Sequence, residues 1–126
     1  MLADLAGACD VVLVDAPCSG SGTWRRNPET RWRLNPERLD QVIEVQANLL
    51  DIGAEMVAPG GHLVYAVCSL LDDEGRGQMD SFLERHDGWR AAPLTLPAGR
   101  PHGAGVLLTP HHDGTDGFFF ARAQKL

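Results

Sequence analysis

Asp10-Val11-Val12-Leu13-Val14-Asp15-Ala16-Pro17-Cys18-Ser19-Gly20-Ser21-Gly22 is the stretch whose reading decides the fold. It opens as a continuous apolar run, rich in β-branched residues and bounded by aspartates. Such runs suit a strand covered on both faces, as in a parallel sheet. Pro17 has no N–H to give and stops the ladder. A loop of serine and glycine leaves at once from the carboxyl end of the strand. Downstream lies a second run of the same kind, His62-Leu63-Val64-Tyr65-Ala66-Val67-Cys68. A helix is predicted between them. Asn35 is its N-cap, Pro36 suits the first helical position, and Glu37 suits the positive end of the dipole. Leu39, Val42, Ile43, Leu49, Leu50, Met56 and Val57 recur on one helical face. The stop signal is Pro59-Gly60-Gly61. Gln46 falls in the middle of this apolar stripe, where a polar residue is out of place.

Strand, helix, strand makes a βαβ unit, with a right-handed crossover and parallel strands. Cys18 sits just past the end of the first strand and Cys68 at the end of the second. Both then lie on the carboxyl edge of the sheet, where open α/β sheets bind ligands. Neighbouring strands would bring the two thiols within about 5–10 Å of each other. Asp15 shares that edge. The competing reading takes both cysteines as small buried hydrophobes.

Further along, a helix is expected over 72–86, with Met79, Phe82, Leu83 and His86 on one face and Gly75 and Gly77 weakening its first turns. Residues 89–94 and 105–109 read as short strands. The stretch between them carries Pro97, Gly99, Pro101 and Gly103 and reads as loop. Residues 111–117 are a turn, and 118–123 the last strand, followed by a basic tail. Residues 1–9 read as a linker or the tail of a helix. The whole order is α/β.

Composition fits one domain. The chain has 126 residues, 44% hydrophobic and 22% charged, near the globular average. Eleven basic against seventeen acidic residues give a net charge of −6, which excludes a generic polycation but not a local basic patch. Cys9, Cys18 and Cys68 form no CxxC pair, so neither a zinc ribbon nor a disulfide framework is expected, and no metal. No apolar run approaches the roughly 20 residues that cross a bilayer. The amino terminus lacks a signal-peptide pattern, and a cytoplasmic location is the expectation.

Several catalytic loops fail at named positions. A phosphate loop would need a lysine after the glycines. The dinucleotide pattern meets Arg25 at its third glycine, and the nucleophile elbow meets Pro17 at its first. A thiol-phosphatase loop wants arginine where Trp24 stands, and Arg25 comes one position late, which leaves a thiol hydrolase as a weak rival.

Asp15-Ala16-Pro17-Cys18-Ser19-Gly20 resembles the DAPCSG motif of the Sun/nucleolar-protein family of RNA cytosine-5 methyltransferases. Other segments match in order. Residues 24–32 (WRRNPETRW) resemble the basic segment that follows the motif. Residues 46–50 (QANLL) resemble the family's QxxLL helix, which gives Gln46 a reason. Residues 59–70 (PGGHLVYAVCSL) resemble PGGxLVYSTCSL, and 114–122 (GTDGFFFAR) resemble the closing GTDGFFxA strand. The likeness covers nearly the whole chain.

The resemblance implies a fold, a reaction and a site. The fold is the carboxyl half of a Rossmann-like methyltransferase sheet: strands four to seven, the last antiparallel. Residues 1–126 would then be a partial catalytic domain without the cofactor-binding half, whose glycine-rich loop precedes DAPCSG in the family. Cys68 would be the nucleophile that attacks carbon 6 of cytosine, and Cys18 would assist its release. Asp15 and Pro17 would meet the cofactor, S-adenosylmethionine, with Asp15 placed to contact either the cofactor or the bound cytosine. Val67 replaces the motif's threonine, a change expected to tune rather than abolish activity.

Arg25, Arg26, Arg31 and Arg33, with Trp24 and Trp32, form the concentrated basic stretch, suited to RNA phosphates and stacked bases. The plain alternative is a solvated loop with its tryptophans tucked into the core. The resemblance implies ribosomal RNA as the substrate, with transfer RNA as the alternative. An exposed strand edge points to a homodimer or to a missing amino-terminal half. The other functional reading is an inactive fragment serving as an RNA- or protein-binding module.

Overall fold

The structure is a computed structural model that describes residues 2–23 and 35–126. Residues Leu2–Leu5 form a 3-10 turn. The first apolar run is strand β1, Cys9–Asp15. Helix α1 runs Pro36–Met56, and the Asn35 side chain accepts a hydrogen bond from the Arg38 N–H, as the cap signal predicts. Strand β2 is Val57–Val67, helix α2 Arg76–Arg85, and strand β3 Trp89–Ala91. Strands β4 (Arg100–His102) and β5 (Gly105–Leu108) form a hairpin. A short helix α3, Pro110–Asp113, precedes strand β6, Phe118–Lys125.

The sheet order is β1-β2-β6-β5-β4, with β3 also pairing β6. β1 and β2 are parallel neighbours, and β6 runs antiparallel to β2. The βαβ unit and the antiparallel last strand therefore stand as read. The fold is mixed α/β.

Several boundaries differ from expectation. Val57 is not the last residue of the helical stripe. It is the C-cap, fully buried, and pairs with Cys9 as the first residue of β2. The register then shifts, and Gly60 takes φ +84°, so Pro59-Gly60-Gly61 bulges out of the strand rather than preceding it. Helix α2 begins at Arg76, not near residue 72: residues 72–75 form turns, with the Glu74 and Gly75 N–H groups donating to the Leu71 carbonyl, and the Glu74 side chain is buried. Residues 100–102, read as loop, form β4, where Pro101 sits on an edge strand that tolerates a missing N–H.

One face of the sheet carries the core. Val12 and Val14 of β1, Leu63, Tyr65 and Val67 of β2, and Phe119, Ala121 and Ala123 of β6 pack against Leu50 and Ala54 of α1 and Met79 and Phe82 of α2. Phe82 is fully buried, worth about 1.5–3 kcal/mol of transfer free energy. Gly53 lets α1 lie close on the sheet: a Cβ there would meet Leu63 and Val14 side chains at 3.0 Å. On the other face the β1 side chains are open while Ala66 is buried and Phe118 and Phe120 are half-buried. Val11 and Leu13 are 61% and 64% exposed. Among the described residues β1 pairs only with β2 and forms one edge, as expected for the exposed strand flank.

Candidate functional site

Three loops converge at the carboxyl edge of β1 and β2. The Ala16 N–H donates to the Ala66 carbonyl at 3.1 Å, which carries the ladder one residue past Asp15. Pro17 ends it. The chain then makes a 3-10 turn at Ser21–Thr23. Within it the Gly22 N–H donates to the Cys68 carbonyl at 3.1 Å, and the Gly22 carbonyl accepts from the Gly117 N–H at 2.7 Å. A Cβ on Gly22 would lie 1.9 Å from the Gly117 oxygen. Glycine is what allows the loop after β1, the end of β2 and the start of β6 to meet at backbone distance.

The two cysteines predicted to share this edge are in contact. Cys18 Sγ lies 3.4 Å from Cys68 Sγ, closer than the separation inferred from strand spacing, and both are free thiols. Cys18 Sγ also donates to the Cys68 carbonyl at 3.5 Å. Either sulfur can donate in the contact between them, and once Cys68 is a thiolate the remaining proton is the one on Cys18. The hydrogen bond from Cys18 lowers the Cys68 thiol from 9.0 to about 7, against burial and the negative charges of Asp15 and Glu74. That same bond, with burial, pushes the Cys18 thiol far up. Near neutral pH the pair divides into one thiolate and one retained proton. Thiolate character is what makes a cysteine nucleophilic.

Cys68 opens onto a recess of about 470 Å³ whose walls include Leu13, Asp15, Thr23, Ala66, Phe118 and Phe120. This volume lies in the range of small-molecule sites. Asp15 is exposed at the rim. Phe118 and Phe120 are stacked, with ring centroids 5.7 Å apart. Pro17 is exposed too, and its carbonyl accepts from Gln46 Nε2 at 2.9 Å. Val67 is 1% exposed and belongs to the core, where valine keeps threonine's branched shape with no hydroxyl to satisfy.

Sequence reading missed Glu74. It is fully buried. Its carboxylate accepts from the Ser19 N–H at 2.7 Å, Ser19 Oγ at 2.5 Å, Ser69 Oγ at 2.6 Å and Gln46 Nε2 at 2.9 Å. Its carbonyl accepts from Tyr65 Oη at 2.6 Å. Burial, followed by the Glu74 charge, drives the Tyr65 phenol upward, so it stays a donor. The one available signal was Gln46: a fully buried glutamine in an apolar stripe must have polar partners. Arg25, Arg26, Arg31 and Arg33 lie outside the described residues. No three side chains of metal-ligating type gather among the described residues, and no helix there is long and apolar enough to cross a membrane.

Residues 2–124 match the family described as 16S rRNA methyltransferase RsmB/F. The chain is 41% identical over 121 residues to a probable ribosomal RNA small subunit methyltransferase B of Synechocystis, covering 92% of this chain and 27% of that one. It superposes on the crystal structure of PH0851 with a TM-score of 0.89 and 36% identity, over 95% of this chain and 27% of that chain. A methyltransferase homolog from Pyrococcus horikoshii gives a TM-score of 0.77 and 31% identity, over 93% of this chain and 39% of that chain. The sheet is thus of the Rossmann-like methyltransferase kind, and the chain spans under a third of the length of the curated relative. With a match over nearly its full length, the chain belongs to the RsmB/F family of 16S rRNA methyltransferases.

Proposed function

We propose that this chain is the catalytic part of an enzyme that methylates carbon 5 of a cytosine in RNA, ribosomal RNA first, through a covalent cysteine adduct. The observation that carries the reading is the Cys18–Cys68 contact at 3.4 Å, with the Cys68 thiol lowered to about 7 beside an open recess. In the proposed sequence the Cys68 thiolate adds to carbon 6 of cytosine, and the electron pair of the 5,6 double bond moves to carbon 5. S-adenosylmethionine would supply an electrophilic methyl group to that carbon and leave as the neutral thioether. Loss of the carbon 5 proton to solvent then restores the double bond as the carbon–sulfur bond breaks and the thiolate leaves. Cys18 serves both ends: its S–H stabilises the attacking thiolate and again the departing one.

The residues at hand fit the reactive end of a sulfonium donor. Asp15 offers a carboxylate, and the Phe118 and Phe120 rings offer faces that suit a cation. The glycine-rich loop that the family uses for the rest of the cofactor has no counterpart in this sequence. In the intact enzyme we place the cofactor-binding half against the open face and edge of β1. The far greater length of the relatives and the exposure of Val11 and Leu13 support that placement. Arg25, Arg26, Arg31 and Arg33 would meet RNA phosphates.

The test is trapping on RNA that carries 5-azacytidine. The intact protein should form a covalent adduct, Cys68→Ala should form none, and Cys18→Ala should leave a persistent adduct on ordinary RNA. A persistent adduct in Cys68→Ala would reverse the two roles. No adduct in any form, with RNA bound, would instead favour the binding-module reading.

A further inference from the structure

Glu74 does not reach the recess, and the proposed chemistry gives it no part. It is nevertheless the most heavily bonded side chain near the cysteines. Oε2 takes the Ser19 N–H and Gln46 Nε2, and Oε1 takes the hydroxyls of Ser19 and Ser69. Ser19 follows Cys18 and Ser69 follows Cys68. One carboxylate thus grips both residues next to the two thiols, from further along the same link between β2 and α2 that carries Cys68 and Ser69.

The hydroxyls around it are ordered by direction. The Leu70 N–H donates to Ser21 Oγ at 2.8 Å, and Ser21 and Ser69 hydroxyls meet at 3.0 Å. Ser69 Oγ accepts from the Leu71 N–H at 3.1 Å and spends its proton on Glu74. The Ser21 hydroxyl must then donate to Ser69. The chain of bonds ends on Glu74, the acceptor that orients every member. Gln46 is fixed in turn by Gln78, whose Nε2 donates to Gln46 Oε1 at 3.2 Å and to the Ile43 carbonyl at 2.8 Å. A buried carboxylate with this many donors is costly to leave half-satisfied, so the two cysteine loops cannot drift apart independently.

We propose that Glu74 is the positioning residue of the cysteine pair: by holding Ser19 and Ser69 with one carboxylate it sets the approach of the Cys18 and Cys68 thiols. The proposal rests on the reading of those thiols as the reactive pair. Its measure is the effective concentration of each thiol for the other.

The experiment equilibrates the whole chain, in a Cys9→Ala background, with oxidised and reduced dithiothreitol. Cys18 and Cys68 lose two electrons and two protons in forming a disulfide, and the reagent's disulfide takes up both. Glu74→Ala should lower the effective concentration about tenfold or more, the worth of one charge-assisted hydrogen bond. Ser19→Ala keeps the fold's main contacts and removes one arm of the grip, so it should fall in the same direction if Glu74→Ala does not fold. Glu74→Gln keeps an acceptor for the Ser19 N–H and should retain most of the parent value. It also removes a buried charge that raises both thiols, so the pH midpoint of Cys68 alkylation should move down. An unchanged effective concentration in a folded Ser19→Ala, or an unmoved midpoint in Glu74→Gln, overturns the proposal. No RNA or methyl donor enters the assay, so its failure and the failure of the methyltransferase reading are told apart.

Discussion

Replacing Cys18 by alanine should change how Cys68 reacts in a way that reverses with pH. The hydrogen bond from Cys18 is the first cause of the Cys68 shift from 9.0 to about 7. Without it the thiol should return toward 9. At pH 7 the thiolate fraction then drops from about one-half to about 1%, roughly 50-fold. A thiolate of higher pKa is also the better nucleophile, with a Brønsted slope of about 0.4–0.5, which returns about eightfold. The net expectation at pH 7 is alkylation about sixfold slower in Cys18→Ala. Above about pH 8 the order reverses, because the greater nucleophilicity of the variant's more basic thiolate then outweighs its smaller ionised fraction. The assay is the rate of iodoacetamide capture at the Cys68 peptide, read by mass spectrometry across pH. Two rate–pH curves that cross are the expected result. Parallel curves with a common midpoint near 7 would refute the claim that Cys18 acidifies Cys68, and with it the division into one thiolate and one proton donor.

Gly22→Ala should destabilise the chain by about 1–3 kcal/mol or more, since the clash is with the backbone oxygen of Gly117 and no side chain can move aside to relieve it. A lower urea midpoint at unchanged m-value checks this. Asp51 accepts from Arg85 at 2.9 Å and His86 at 2.8 Å. Burial raises its carboxyl, but these two partners outweigh burial and hold it below 3.8. Its contribution is therefore present above the unfolded value and lost as pH falls through the folded one. With the Asp51 side chain 43% exposed, the effect is under about 1 kcal/mol. Asp51→Asn should be less stable than the parent near neutral pH, and the gap in urea midpoint should close below about pH 4.

The parts of the fold set by local pattern were readable in advance. β1 and β2 announced themselves as apolar runs, α1 by Asn35 and Pro36, and the shared edge of Cys18 and Cys68 followed from the handedness of one crossover. The parts set by distant partners were not. Asp72-Asp73-Glu74-Gly75 looks like a solvated acidic turn, and nothing near it in sequence says that Glu74 is buried. Its burial is decided by Ser19, 55 residues away, and Gln46, 28 away. Strand β4 was hidden by Pro101, whose penalty vanishes only once β4 is known to be the last strand of the sheet. The thiol separation was overestimated because strand spacing says nothing of how Gly22 draws the first loop onto Cys68.

Strand β6 is the last of the six to be synthesised, yet it lies between β2 and β5 and also pairs β3. The sheet's order in space therefore runs against its order in time. Until β6 emerges, the strand that delivers Cys68 has a partner on one side only, and its other side is an open ladder. Such long-range closure slows folding and leaves edges available for wrong pairing. The Cys18–Cys68 contact should accordingly be among the last features to mature. A nascent chain stalled before Phe118 would carry both cysteines but not the arrangement that makes one of them acidic.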